Sequence, residues 1–389
     1  MIESLKEFIN SNESWRYMPS SALKNFIESD SKGLPIDIQH TKTPAILNSN
    51  NVPLIDNHIT GYDTSAMDFQ IYSIHDAMGK IPLIDKIFQK DDRVDDNPFI
   101  KSSYTDYSTG YVLYIPSGIS LDKPIYLNNH FSLNQDTLIS RIAIVCDEGS
   151  EVEIIEHNTG GSELGYMNIF SSIFCSKGSS LNYTQLSECK SSIIINADVT
   201  ASSCSKISYN TLSINSGLYR NNMSVNLAGD MASAELSGLF FAKENDHIEF
   251  HTEMKHRSRK TKSTQNFRGI LAGSSSGFFN GLVRISRNGD GSEANQSNKN
   301  IIFGDKARMN SNPQLVIETD DVQCTHGSTT GQIDSDTLFY LRSRGIPVEL
   351  AYQMVVAGFS SEIFQKISND ELRSYISDVI QESVSKVAS

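Results

Sequence analysis

The sequence predicts a mainly β chain: a β-solenoid core between a helical, irregular N-terminal region and a helical C-terminal region. Three observations predict it. From about residue 100 the texture changes to short segments rich in Val, Ile, Tyr, Ser and Asn. These segments recur as a loose repeat: YIPSGISLDKPIYL, IVCDEGSEVEIIEH, IFCSKGSSLNYTQL, DVTASSCSKISYNTL and NLAGDMASAELSGLF. Gly118, Gly149 and Gly178 fall at the turns, roughly thirty residues apart with no helical pattern between them. One such unit cannot bury its inward residues alone. Stacking units builds a continuous core, and small residues let the chain turn at the corners. A β-sandwich also has many short strands, so the repeat alone leaves that alternative open.

Residues 1–95 read as helical and irregular. Leu5, Phe8 and Ile9 form an apolar stripe, and Ser20–Ser29 makes a second short helix. Residues 31–66 are polar, are broken by Pro35, Pro44 and Pro53, and read as irregular. Met67, Ile71, Ile74 and Met78 stand at helical spacing, which predicts a third helix. The β body then occupies residues 96–332. Residues 333–389 return to helix. Asp334 fits the N-cap of SDTLFYLRSR, Gly345 fits the position just past its end, and Pro347 fits the first turn of the next helix. PVELAYQMVVAG is expected to end at Gly358, with further helices near Ser361–Ile367 and Asp370–Val387.

The chain has 389 residues, with 33 Lys+Arg against 46 Asp+Glu and a net charge of −13. That balance argues against nucleic acid or an anionic membrane as partner. No run of apolar residues is long enough to span a bilayer. The start, MIESLKEFINSNES, lacks the basic and apolar regions of a signal peptide. The five cysteines, 146, 175, 189, 204 and 324, include no C-x-x-C. Together these features predict a cytoplasmic protein without a disulfide framework.

Several motifs carry no chemistry on inspection. Gly273–Gly277 (GSSSG) matches G-x-S-x-G, but strand-like sequence lies on both sides, so Ser275 reads as a turn residue. No P-loop and no dinucleotide fingerprint occurs. HIEFHTEMKH is the densest histidine cluster. In a strand His247, Glu249, His251 and Glu253 would share one face, with Ile248, Phe250 and Met254 on the other. The face reads as a solvated polar surface, with a metal site built from His247, His251 and His256 as the alternative. HRSRKTK (256–262) is a local basic patch without interleaved aromatics, which suits a loop or a partner contact.

DDVQCTHGS (320–328) places Cys324 and His326 two residues apart. In a strand both point to one face, about 6.5–7 Å apart, while Thr325 points away. Thiolate is a soft ligand for iron–sulfur clusters and imidazole can replace it on iron. By spacing alone the pair also fits a buried thiol beside a structural histidine.

Around it, NPQL (312–315), DDVQCTHG (320–327), GQID (331–334) and FYLRSRGI (339–346) resemble the SufB/SufD family of iron–sulfur cluster assembly scaffolds. HTEMKH (251–256), FRGIL (267–271), FNGLVRI (279–285) and, near the start, WRYM agree with that family. The resemblance is specific over about 250–360 and looser elsewhere. It implies a right-handed parallel β-helix and a non-enzymatic scaffold. The B-type branch carries a cysteine near the position of Asn298, so its absence here favours the D-type, with a B-type paralogue as the alternative. A D-type subunit is expected to pair with a SufB-like subunit and a separate SufC-like ATPase, and to form a possible homodimer when isolated. His326, and more weakly Cys324, would hold a transient iron–sulfur cluster or iron shared with the partner chain; no cofactor is expected to be bound tightly by the isolated chain. Phe339, Leu341, Arg342, Arg344, Val355, Val356 and Phe359 on the C-terminal helices are the expected ATPase-docking residues, or else they cap the solenoid end. His251 and His256 remain secondary metal candidates. A carbohydrate-active β-helix enzyme is the rival reading; it would need a convergent carboxylate pair, and none is evident.

Overall fold

The computed structural model describes residues 8–9, 11–12, 15–18, 48–62, 67–77, 79–81, 84, 96–132, 137–214 and 217–388. In chain order the strands are β1 (Asn50–Ile55), β2 (His58–Ile59), β3 (Gln70–Ser73), β4 (Tyr111–Ile115), β5 (Ile125–Phe131), β6 (Thr137–Cys146) and β7 (Glu151–Gly160). They continue as β8 (Tyr166–Cys175), β9 (Ser180–Cys189), β10 (Ser192–Ala201), β11 (Lys206–Ser213), β12 (Leu218–Leu227) and β13 (Ser233–Ala242). The last are β14 (His247–His256), β15 (Lys262–Leu271), β16 (Ser276–Ile285), β17 (Ser292–Ile302), β18 (Arg308–Ile317) and β19 (Val322–Gln332). From β4 onward the chain alternates between two sheets. One stacks β19-β17-β15-β13-β11-β9-β7-β5-β1-β2, the other β18-β16-β14-β12-β10-β8-β6-β4-β3. The solenoid pairs are parallel, such as β15 with β17 and β17 with β19. The expected β-solenoid is therefore present, and the sandwich alternative falls.

Inward residues of both sheets share one core, with Ile154, Tyr183, Tyr209 and Leu236 from one sheet and Ile195, Met223, Phe250 and Phe279 from the other. One corner repeats along the whole body. Gly118, Gly149, Gly178, Cys204, Met231, Lys260 and Gly291 all adopt φ between 55° and 73°. The N–H of each donates to a carbonyl one rung further on, those of Glu148, Lys177, Ser203, Asp230, Arg259, Asp290 and Asp321, at 2.7–3.0 Å. The turn glycines of the sequence repeat are the first three steps of this ladder. Ser275 lies in the β15–β16 turn, where its hydroxyl accepts from the Ala272 N–H, as a turn residue should.

Four helices are described in full: α1 (Pro98–Thr105), α2 (Ser335–Ser343), α3 (Val348–Phe364) and α4 (Asp370–Ala388). Asp334 caps α2 through the N–H groups of Asp336 and Thr337, and Gly345 follows with φ 85°. Pro347 is the N-cap of α3 rather than part of its first turn.

The structure corrects several expectations. The Met67–Met78 stretch contains strand β3, antiparallel to β4, instead of a helix. Ile71 and Ile74 are buried, but pairing with β4 supplies hydrogen bonds that an isolated short helix would lack. The stretch 31–66, expected to be irregular, contains β1, which pairs in parallel with β5. Its Pro53 faces the short edge strand β2, where its carbonyl accepts from the Thr60 N–H and the missing donor costs the sheet a bond at its edge. Gly358 does not end a helix; α3 runs through it to Phe364. Leu5, Ser20–Ser29 and Met78 lie outside the described residues.

The C-terminal helices do not cap the solenoid end. Val356, Ile363, Phe364 and Ile367, with Leu372, Ile376 and Ile380, pack on Ile155, Leu186, Leu212, Leu239 and Ile270, the outward face of the ten-stranded sheet. Polar ties fix them there: Lys366 to Glu235 at 2.6 Å, Glu362 to Arg268 and Asn266, and the Tyr375 hydroxyl to Glu188. The outer flank is thus covered, and among the described residues the end rung stays mostly exposed.

Candidate metal or cluster site at the open end of the solenoid

β18 and β19 are the edge strands of their sheets and form the last rung. The corner ladder sets their register, because the Gly291 N–H donates to the Asp321 carbonyl at 2.7 Å. Asp321 is therefore the corner residue just before β19. Parallel pairing then places Cys324 on Ala294, His326 on Gln296, Ser328 on Asn298 and Thr330 on Asn300. Ala294, Gln296, Asn298 and Asn300 are buried inside the solenoid. Side chains alternate along a strand, so Cys324 and His326 point to the lumen side at its open mouth. Cys324 is half-buried against the main core, and His326 is exposed. Thr325 points the other way, with its hydroxyl donating to Asn295 at 3.1 Å. Across the mouth, the Ser328 hydroxyl donates to that of Ser311 on β18 at 2.8 Å. The mouth thus gathers a thiol, an imidazole, two hydroxyls and the Gln296 amide. Gln296, Ser311 and Ser328 went unnoticed in the sequence, although the two-residue alternation of both strands could have placed them.

Burial pushes the Cys324 thiol up, partly offset by a hydrogen bond from the backbone of Ala294. Metal binding there would release a proton. Asn298 is fully buried and exchanges hydrogen bonds with Asn300, the shorter at 2.7 Å. Among the described residues no group of three or more His, Cys, Asp or Glu is placed to hold a metal ion.

The histidines of β14 behave otherwise than expected. His247, Glu249 and His251 do share the outward face, but that face is buried, not solvated. Glu249 accepts from Arg220 and from His247 and His251 at 2.7 and 3.0 Å. The Arg220 guanidinium lies 3.8 Å from the ring of Trp15, which stacks on Phe99. Arg220 holds the Glu249 carboxyl well below the usual carboxylate range against its burial. Burial, with Arg220 nearby, pushes the His251 imidazole down to about 4. His256 points to the opposite, inner face, where Thr261 and Ser263 take both ring nitrogens at 2.8 Å. His251 and His256 therefore cannot join in one site.

The docking candidates separate in the same way. Phe339 is 74% exposed, Arg342 and Arg344 are exposed, and Leu341 and Val355 are half-buried. Val356 is buried under α3, and the Phe359 ring packs toward Arg268 at 5.1 Å, so these two fasten the helix to the body. Tyr340, Leu350 and Met354 extend the exposed apolar surface of α2 and α3. The sequence reading missed these three, since helical periodicity alone does not say which face meets the body.

A family model for the SUF system FeS cluster assembly, SufBD core domain, matches residues 130–359. The chain belongs to the SufBD family. It is similar to the iron–sulfur cluster assembly protein SufD of Bacillus subtilis, 25% identical over 308 residues, which cover 78% of this chain and 70% of that protein. A chloroplastic SufBD family protein of Arabidopsis thaliana is 26% identical over 360 residues, 88% of this chain but 64% of its own length. SufD of Escherichia coli is 31% identical over 157 residues, 40% of this chain and 37% of that protein. These similarities are those of a SufD-type member of an iron–sulfur cluster assembly family. Among the described residues no helix is long and apolar enough to cross a membrane.

Proposed function

We propose that this SufBD family chain is a non-enzymatic D-type scaffold subunit that completes a transient cluster site with a SufB-like partner. One observation carries the reading: Cys324 and His326 face the lumen side of the last rung, which no further strand covers among the described residues, so a second chain could complete a ligand set there. An open sheet edge presents unpaired N–H and C=O groups, which favour pairing with another chain. His326 is the principal ligand and Cys324 the weaker one. The iron or cluster is cargo, held by this chain only in part. The exposed apolar surface of α2 and the start of α3 is the docking face for a SufC-like ATPase, which supplies the ATP-driven motion.

The test is reconstitution with a SufB-like subunit and the ATPase. His326→Ala sits on an exposed strand position and should change stability by no more than about 0.5 kcal/mol. It should still co-purify with both partners, while cluster assembly in cells falls at least tenfold. Full assembly by His326→Ala overturns the ligand role.

A further inference from the structure

The amide of Gln296 is buried, at 1% exposure, yet neither its oxygen nor its nitrogen has a hydrogen-bond partner. Such groups are rare in folded proteins, and each calls for an explanation. Its neighbours on the same strand are satisfied: Asn298 and Asn300 bond to each other, and Asn300 reaches Thr330 at 3.1 Å. Gln296 is the register partner of His326, directly below it in the ladder. The amide reaches across the lumen to Gly281 on β16, where an added Cβ would lie 1.8 Å from its Nε2. A side chain at 281 would push the amide away, so the glycine makes room for it. Both ends of the amide remain unpartnered, so Oε1 is available to accept.

We propose that Gln296 is a positioning residue for His326, its Oε1 accepting from one ring N–H so that the other nitrogen keeps its lone pair toward the mouth. An imidazole ligand binds metal through an unprotonated nitrogen, and a hydrogen bond at the second nitrogen fixes both tautomer and ring orientation. Among the described residues β19 pairs on one side only, so Gln296 is the one register neighbour of His326. The inference rests on the ligand role of His326 proposed above.

The experiment uses the full, metal-free chain with ¹⁵N-labelled histidine and reads the His326 tautomer from its ring-nitrogen shifts above pH 7.5. The wild type should show one tautomer. Gln296→Leu, which removes an unsatisfied amide and should fold, is expected to show both within about threefold of each other. Gln296→Glu keeps an acceptor and should restore the single tautomer. Gly281→Ala, which displaces an intact amide, should behave like Gln296→Leu. An unchanged tautomer in Gln296→Leu overturns the positioning role. In the reconstituted complex the two ideas separate. If His326→Ala abolishes assembly while Gln296→Leu leaves assembly and tautomer unaltered, only the positioning role fails. If His326→Ala assembles clusters normally, the ligand role fails and the positioning role goes with it.

Discussion

At residue scale, burial decides what each histidine can do. His256 lies inside the solenoid, with Thr261 and Ser263 on its two nitrogens, and burial pushes it down to about 4 from 6.5. The unfolded chain takes up the proton first as pH falls. The contribution of His256 is therefore complete above pH 6.5 and is lost between there and about 4. A shift of that size corresponds to roughly 3 kcal/mol. Urea unfolding should show stability falling over this window, and His256→Gln should flatten the fall; an equally steep profile in the variant would place the effect elsewhere. The pairing of Cys324 with His326 on one face was legible, because strand alternation is local. The burial of His247, Glu249 and His251 was not. It depends on Trp15 and Phe99 closing over Arg220 from far away in the chain.

Elements were legible where a cap or a turn announced them. Asp334 and Gly345 bound α2 in the structure as in the sequence. Spacing misled at β3, since Ile71 and Ile74 suit a helix turn as well as a short strand whose partner, β4, supplies the bonds. Gly358 misled too: its cost within a helix, about 1 kcal/mol, is outweighed by the burial of Val356 and Ile363 on either side. The exposed ring of Phe339 belongs to a helix none of whose residues is buried. Phe339→Asp should therefore leave the thermal midpoint within about a degree or two, since a surface change costs little. It should lower co-purification of the ATPase at least tenfold. Retained ATPase binding would move the docking surface away from α2.

Viewed as a whole, the molecule is a stack that repeats one corner bond from Gly118 to Gly291. Its solenoid class was suggested by the glycine period and the family resemblance together, but the side-on position of α3 and α4 could not be read. That position depends on the outward residues Ile155, Leu186 and Leu239, which look like ordinary strand residues until the helices arrive. In a stack each interior rung is clamped from both sides and a terminal rung from one only. Amide hydrogen exchange should accordingly run fastest in β18 and β19 and slow there at least tenfold when the SufB-like subunit is added. Uniform protection along the free chain, or no slowing on mixing, would argue against partner pairing at this edge. One further consequence follows from the corner at Gly291 and Asp321. That bond and the parallel ladders of β17 with β19 and β16 with β18 tie the last rung to the body from one side only. A partner that pulls on the last rung need not melt the fold to change the spacing of Cys324 and His326 from the ligands across the seam. On the proposed function, the terminal rung acts as the outer leaf of a latch, gripping cargo when a partner closes on it and releasing it when the partner withdraws.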